Sequence, residues 1–442
     1  MICFISCVLK KYIKEAEILE KFYLCPKLIP ALKGYGKTQF VSDLVAGIIV
    51  AIIALPLSIA LALASGVEPA CGIYTAIAAG CFVSLLGGSR VQIAGPTAAF
   101  ATVVACIVAT QGMDGLFIAT VLAGIMLILM GVFKLGSLIK YIPYTITTGF
   151  TSGIAVTILV GQIKDFLGLM YESGVKPIET IEKIEANIAA IGSFSWQSLL
   201  IGAISLAILV FYPKLEKRVP PSLIAVVVGA VLTALIPALN DGVYTIGELY
   251  TIPAGLPSVD FAGMDFSLSK VLAVLPNAFT IALLAGIESL LSCVVADTMI
   301  DDKHNSNSEL VAQGIGNIAS VLFGGIPATG AIARTAANVK NSGRTPVAGM
   351  VHAAVLMLVL LILMPYASLI PMPTIAAILF VVAYNMSEWR KVVDTVKTKP
   401  WQDILVMLLT LVLTVVFDLV VAIAVGLVLN IVLSLVRKLI KK

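Results

Sequence analysis

A glutamate, an arginine and two glycine–proline breaks stand inside apolar sequence, and together they have the chemistry to hold a small anion. The first break is Gly95-Pro96-Thr97-Ala98-Ala99-Phe100. The second lies between Gly286-Ile287-Glu288-Ser289 and Thr335, in the run Gly325-Ile326-Pro327-Ala328-Thr329-Gly330-Ala331-Ile332-Ala333-Arg334. Proline lacks a backbone N–H and the glycines loosen the chain, so each segment predicts a helix starting just past its proline, the second at about Thr329. The first N–H groups of such a helix are unpaired and its dipole favours negative charge. Thr97 and Thr329 add hydroxyl donors, and Arg334, a turn and a half into the second helix, adds a full positive charge. Sulfate, bicarbonate or a carboxylate suits this set. The competing reading is that Gly and Pro merely kink packed helices, and that Arg334 reaches back to the aqueous edge. For Glu288 three roles stay open: pairing with Arg334, carrying a coupling proton, or capping a gap in the backbone. Asp297, nine residues further on, is expected near a helix end with an ordinary solvated role.

The elements that position these residues must be membrane helices. Of the 442 residues 60% are hydrophobic and only 12% charged, and the mean hydropathy is +1.06, which excludes a soluble globular protein. The sequence predicts an all-α polytopic membrane protein surrounded by lipid bilayer. Catalysis is disfavoured, because no histidine lies near a nucleophile and no phosphate-binding glycine loop is present. No cofactor, metal site or nucleic-acid partner is expected. His304 and His352 are too far apart for a ligand pair, and the cysteines Cys3, Cys7, Cys25, Cys71, Cys81, Cys106 and Cys293 are scattered and read as reduced packing residues. The apolar residues Met1 to Leu9 lead into Lys10-Lys11 without a cleavage pattern, so no removable signal peptide is predicted.

Residues 1–42 are lysine-rich and read as a cytoplasmic, partly amphipathic lead-in. Apolar runs then predict spans at about 43–64, 72–86, 115–133, 143–163, 196–212, 221–236, 271–299, 308–323, 347–365, 371–385, 402–417 and 419–436. Two further spans are discontinuous: a short third one after Pro96, and a tenth from about Thr329 to Val339. Asp165 to Ser195 reads as a surface helix, 237–269 as loop, and 437–442 as a basic cytoplasmic tail. The fold is therefore fourteen transmembrane segments, with half-helices at segments three and ten. Matched positions in two seven-span halves imply inverted repeats with the site between the broken helices. Threading from an inside start places Arg90, Lys134, Lys140, Lys214, Lys217, Arg218, Lys303, Lys340, Arg344, Arg390, Lys391, Lys397 and Lys399 in the cytoplasm, and leaves only Lys164, Lys176, Lys183 and Lys270 outside.

Several motifs then become familiar. Gly95-Pro96-Thr97-Ala98-Ala99-Phe100, Ile287-Glu288-Ser289-Leu290-Leu291, Asn307-Ser308-Glu309-Leu310 with Gln313-Gly314-Ile315-Gly316-Asn317, and Ala331-Ile332-Ala333-Arg334-Thr335-Ala336 resemble the sulfate permease (SulP, solute carrier 26) family over roughly residues 40 to 436. Leu55-Pro56-Leu57-Ser58 and Asn385-Met386-Ser387-Glu388 resemble its bacterial branch with a C4-dicarboxylate transporter. The resemblance implies a core domain (spans 1–4 and 8–11), a gate domain (spans 5–7 and 12–14), homodimers, and alternating access by movement of the core. In family terms Thr97 and Ala98 match the start of the third span, Thr329, Gly330 and Ala331 match the tenth, and Arg334 matches the anion-site arginine. The expected function is secondary active anion transport in the bacterial inner membrane, coupled to a proton or sodium, with Glu288 as the coupling residue and both termini cytoplasmic. Sulfate is the family default, with bicarbonate and C4-dicarboxylates as alternatives. An uncoupled channel and a non-transporting scaffold are the competing classes. Two departures stand out. Leu57 occupies the place where many relatives have a polar Gln, and the sequence stops at Lys442 where most relatives continue into a STAS domain, so the 442 residues are expected to form a complete transport unit.

Overall fold

The computed structural model describes residues 24–137, 143–173, 175, 177–216, 219–240, 242–250, 265–417 and 419–440. Most of the lysine-rich lead-in, part of the 237–269 loop, Lys140, Lys176, Lys217, Arg218 and the last two lysines lie outside the described residues. The helices, in chain order, are α1 Leu28–Ala31, α2 Lys37–Ala64, α3 Pro69–Leu86, α4 Ala101–Val132, α5 Tyr144–Leu167, α6 Thr180–Ala189, α7 Trp196–Leu215, α8 Pro221–Leu235, α9 Pro237–Asn240, α10 Ile246–Leu249, α11 Leu268–Ile300, α12 Ser306–Leu322, α13 Ile332–Lys340, α14 Val347–Leu363, α15 Met372–Met386, α16 Trp389–Thr398, α17 Trp401–Val416 and α18 Leu419–Ile440. Two short strands, β1 Ala94–Gly95 and β2 Thr329–Gly330, complete the secondary structure that matters for the site.

Among the described residues, seven helices are long and apolar enough to cross a membrane, and α8 and α17 are shorter apolar helices. Pro56 sits inside α2 and Pro276 inside α11 without ending either helix. The expected boundary between the third and fourth spans is marked by Gly112, whose φ of 74° interrupts an otherwise continuous α4. That left-handed conformation is open to glycine and strained for most other residues. Several boundaries need correction: α2 already starts at Lys37, inside the expected 1–42 lead-in, and the expected 237–269 loop holds α9 and α10. The second short helix begins at Ile332 rather than at Thr329, because Thr329 and Gly330 pair as a strand with β1. The last helix also continues through Ile440, past the expected start of a tail at 437.

Helix packing follows a repeated plan. α2 and α3 pack on α14, just as α11 and α12 pack on α4; α5 packs on α17 as α15 packs on α7. β1 and β2 meet antiparallel, with Ala94 opposite Gly330 and Gly95 opposite Thr329. The helices beside this crossing are largely enclosed, with 72% of the apolar window of α3 buried against 28% for α7. An apolar helix with that much open surface needs lipid around it.

Charged contacts gather at the two ends. At one end Lys27 and Arg90 both reach Asp302, and Asp43 accepts from the Arg344 and Thr345 amides and from the Thr345 and Tyr35 hydroxyls. At the other end Lys270 pairs with Asp114 at 2.5 Å and the Ser195 hydroxyl donates to the Gly242 carbonyl. His304 bonds Asp297 at 2.7 Å and Ser306 at 2.9 Å, and His352 is fully buried, so neither joins a metal cluster among the described residues. Cys71, Cys81 and Cys293 are free thiols, while Cys3 and Cys7 lie outside the described residues.

Candidate anion site where two broken segments cross

The arm from Gly87 to Thr97 and the arm from Phe323 to Ala331 are irregular backbone inside a helical bundle. Buried N–H and C=O groups must find partners there, since lipid offers none. Polar side chains on the surrounding helices supply them. Asn317 of α12 clamps Ala328, donating to its carbonyl and accepting from its amide, both at 2.9 Å. Thr75 of α3 accepts from the Ile326 amide at 2.7 Å, and Ser320 donates to the Ile326 carbonyl at 2.6 Å. On the first arm, Glu309 accepts from the Gly88 amide at 2.9 Å and from Gln92 at 3.1 Å, while Asn338 of α13 donates to the Val91 carbonyl at 2.9 Å. Glu309, Gln313 and Asn317 are fully buried. They stand four residues apart and so share one face of α12.

At the crossing, Glu288 of α11 accepts from both threonine hydroxyls, Thr97 and Thr329, at 3.0 Å each. One carboxylate oxygen thus joins the two arms. Gly330 donates its amide to the Ser289 hydroxyl at 2.9 Å and Ala331 donates to the Ile93 carbonyl at 3.0 Å, so both N–H groups are engaged inside the protein. The amides ahead of the first intrahelical bonds are those of Ala98 and Ala99 on the first arm and of Ile332, Ala333 and Arg334 on the second.

Arg334 is 1% exposed, which removes the reading in which it reaches the aqueous edge. Its Nη2 donates to the Ser58 hydroxyl at 3.2 Å and to the Pro96 carbonyl at 3.3 Å. It makes no ion pair with Glu288, so that proposed partnership is also removed. Nε and Nη1 have no hydrogen-bond partner. The guanidinium lies so close to the first arm that a Cβ on Gly95 would meet Nη1, and a Cβ on Gly330 would likewise meet Gln92. Both glycines are therefore set by close approach. Glu288 and Thr97 are half-buried, whereas Thr329 and Arg334 are enclosed.

The crossing brings together Thr97, Ala98, Thr329, Gly330, Ala331 and Glu288, with Arg334 held against the first arm. Sequence reasoning missed Ser58, Gln92 and Ser289. Gln92 donates to the Ser289 carbonyl at 3.0 Å as well as to Glu309, which ties the residue beside Glu288 to the first arm. Its signal was a lone amide in the apolar run between Arg90 and Pro96.

Comparison with known proteins gives one answer throughout. Residues 40–410 match the sulfate permease family. A Bacillus subtilis protein named as a sulfate transporter, YvdB, is 45% identical over 372 residues, covering 83% of this chain and 68% of its own length. The bicarbonate transporter BicA of Picosynechococcus is 33% identical over 361 residues, covering 78% of this chain and 62% of that protein. Among solved structures, the transmembrane domain of a cyanobacterial BicA superposes with a TM-score of 0.77 at 31% identity, over 88% of this chain and 98% of that one. SLC26A9, at 19% identity and a TM-score of 0.85, shares the fold.

Proposed function

Because the chain belongs to the sulfate permease family, we propose that it is a secondary active anion transporter whose site is the crossing around Glu288 and Arg334. The observation that carries the reading is the union of Thr97 and Thr329 on one carboxylate, with a buried arginine held on the Pro96 carbonyl next to Thr97 and two of its donors uncommitted. A buried donor without a partner costs about 1–3 kcal/mol, and an oxyanion accepting from Nε and Nη1 removes that penalty. Arg334 supplies charge and two fork-like donors; the amides of Ala98, Ala99, Ile332 and Ala333 supply dipole ends. Thr97, Thr329, Gly330 and Ala331 shape the wall. Sulfate is the first substrate to test, followed by bicarbonate and C4-dicarboxylates.

Glu288 gives the site a means of coupling. An ionised carboxylate repels an incoming anion, so a proton on Glu288, or a sodium ion held by its oxygens and those of Thr97 and Thr329, favours anion binding and is favoured by it. The proposal extends to the whole fold: fourteen spans as inverted repeats, with α2–α4 and α11–α14 forming a core that moves against a gate of α5, α7, α8, α15, α17 and α18. It places the protein in a bacterial inner membrane with cytoplasmic termini, as a homodimer touching through gate helices. An uncoupled channel is the second reading; a half-buried carboxylate at the crossing speaks against it, since a passive pore has no use for a titratable group there. The test is uptake of labelled sulfate, bicarbonate and succinate into proteoliposomes, with and without imposed proton or sodium gradients. Gradient-driven accumulation supports the transporter. Flux that only follows the anion's own gradient supports the channel, and correct insertion with no flux of any of the three counts against both.

A further inference from the structure

A cavity of about 410 Å³ opens at the Asp114–Lys270 end, between the start of α4 and the far end of α5. Ala101 and Thr102, directly after the Ala98–Phe100 turn, form part of one wall, so the cavity reaches the base of the short helix that carries Thr97. Lys164, Asp165 and Lys183 are the charged residues of the described lining. We propose that this cavity is an outer loading site for small oxyanions, with Lys183 as the collecting residue and Asp165 as a brake on its charge. The inference rests on the transporter reading above, in which this end faces outward.

The three charges are held differently. Lys164 is committed, its ammonium lying 4.9 Å from the centre of the Tyr171 ring, and Tyr171 is itself fixed by donating to Asn187 of α6 at 2.8 Å. Lys183, on α6, lies over Gly161 of α5, with its Nζ 3.9 Å from where a Cβ would stand. A Cβ at Gly161 would stand in ordinary van der Waals contact with it. The neighbouring Glu182 attracts it but forms no ion pair with it, its carboxylate being held in a capping box that accepts from the Ile178 and Glu179 amides at 2.9 and 3.2 Å. Asp165 shares the cavity but forms an ion pair with neither lysine. Among the described residues the lining therefore presents two cations against one anion, with no ion pair between them.

Burial pushes the Lys183 ammonium below its ordinary pKa, and the attraction of Glu182 offsets this only in part. An anion beside it reverses that shift. A cleft of one net sign with apolar walls concentrates counter-ions and raises their rate of entry. The wall behind the cavity is the short helix itself, so an anion collected there is already against the element that leads to the crossing.

The test is the initial rate of sulfate and bicarbonate uptake by the reconstituted full chain, over a range of anion concentration, at low and high ionic strength. For Lys183→Gln the expected result is a KM raised about three- to tenfold at low salt with little change in kcat, and a smaller effect at high salt, as befits one screened charge. Lys183→Arg restores the KM. Asp165→Asn moves KM in the opposite direction, with a larger gain for divalent sulfate than for bicarbonate. A merely structural role for these residues would not give opposite signs. An unchanged KM in Lys183→Gln, or a rise of KM in Asp165→Asn, overturns the loading site while leaving the transporter intact. Absence of uptake by the unmodified chain overturns the transporter reading, and the loading site with it.

Discussion

The arm that leads into α4 and the arm that leads into α13 arrive at Glu288 by the same route. Each leaves a helix, runs as irregular backbone capped by polar side chains, forms one strand of the β1–β2 pair and presents a threonine hydroxyl to the same carboxylate oxygen. Beyond the threonines the two arms diverge. After Thr97 come Ala98, Ala99, Phe100 and Ala101, all buried and uncharged. After Thr329 come Ile332 and Ala333, which are exposed, and then Arg334, Thr335 and Asn338, which are buried and polar. The common frame fixes where the two helix ends meet, and the unequal side chains decide what they hold. Charge enters from one arm only, and the other contributes close backbone: Arg334 rests where Gly95 has no side chain.

The largest effect expected from this asymmetry is on the shared carboxylate. Glu288→Gln keeps the shape and removes the charge and one acceptor, so gradient-driven accumulation falls by about 100-fold or more, the scale of losing charged, buried hydrogen bonds. If protons are the coupling ion, residual uptake also loses its dependence on pH. Accumulation that persists with its pH dependence would assign coupling elsewhere. Next in size, Gly95→Ala forces Arg334 from its seat and weakens anion affinity by about tenfold, read by titration of labelled sulfate against purified protein. The mirror substitution Gly330→Ala presses on Gln92 instead, so its first effect is a loss of about 1–3 kcal/mol of stability, seen as a lower Tm in detergent. Equal effects of the two glycine substitutions on affinity would erase the asymmetry.

The smallest effect lies far from the crossing. Burial alone raises the Asp302 carboxyl, but the Lys303 amide together with Lys27 and Arg90 more than reverses this and holds it below the usual carboxylate range. Stability from this cluster is therefore complete above the ordinary carboxylate pKa and fades as pH falls through the depressed value. Asp302→Asn is expected to lower stability by about 0.2–1 kcal/mol at neutral pH, with the difference from the unmodified protein vanishing in acid and anion affinity unchanged. A matching thermal-unfolding series for both proteins across pH checks the sign.

Most of the frame was legible because membrane helices are written locally, as apolar runs ended by glycine, proline or charge. Hence α3, α7, α8, α15 and α17 fall within a few residues of where the runs placed them. The start of α13 was not legible in this way. Its displacement from Thr329 to Ile332 comes from pairing with Ala94 and Gly95, a contact between segments more than two hundred residues apart in sequence. Glu288 stood out in the sequence as a carboxylate in an apolar run, but its partners did not, since a carboxylate and an arginine in one apolar protein invite pairing. Here the threonines take the carboxylate, and Ser58 with the Pro96 carbonyl takes the guanidinium. Glu309, Gln313 and Asn317 were visible only as a motif. Their spacing of four could have identified them as one polar helix face with a backbone to cap.

The central claim is that the crossing binds an anion through Arg334. Its most direct test is equilibrium binding of labelled sulfate and bicarbonate to purified, folded Arg334→Gln beside the unmodified protein, with the unfolding temperature measured on the same samples. Arg334 is a buried cation without an ion pair among the described residues, which is costly to bury, so the neutral Gln relieves part of that cost. The predicted result is an affinity about 10- to 100-fold weaker for whichever anion the unmodified protein binds, with the folded state retained. Equal affinity in the two folded proteins would contradict it and move the anion away from the crossing.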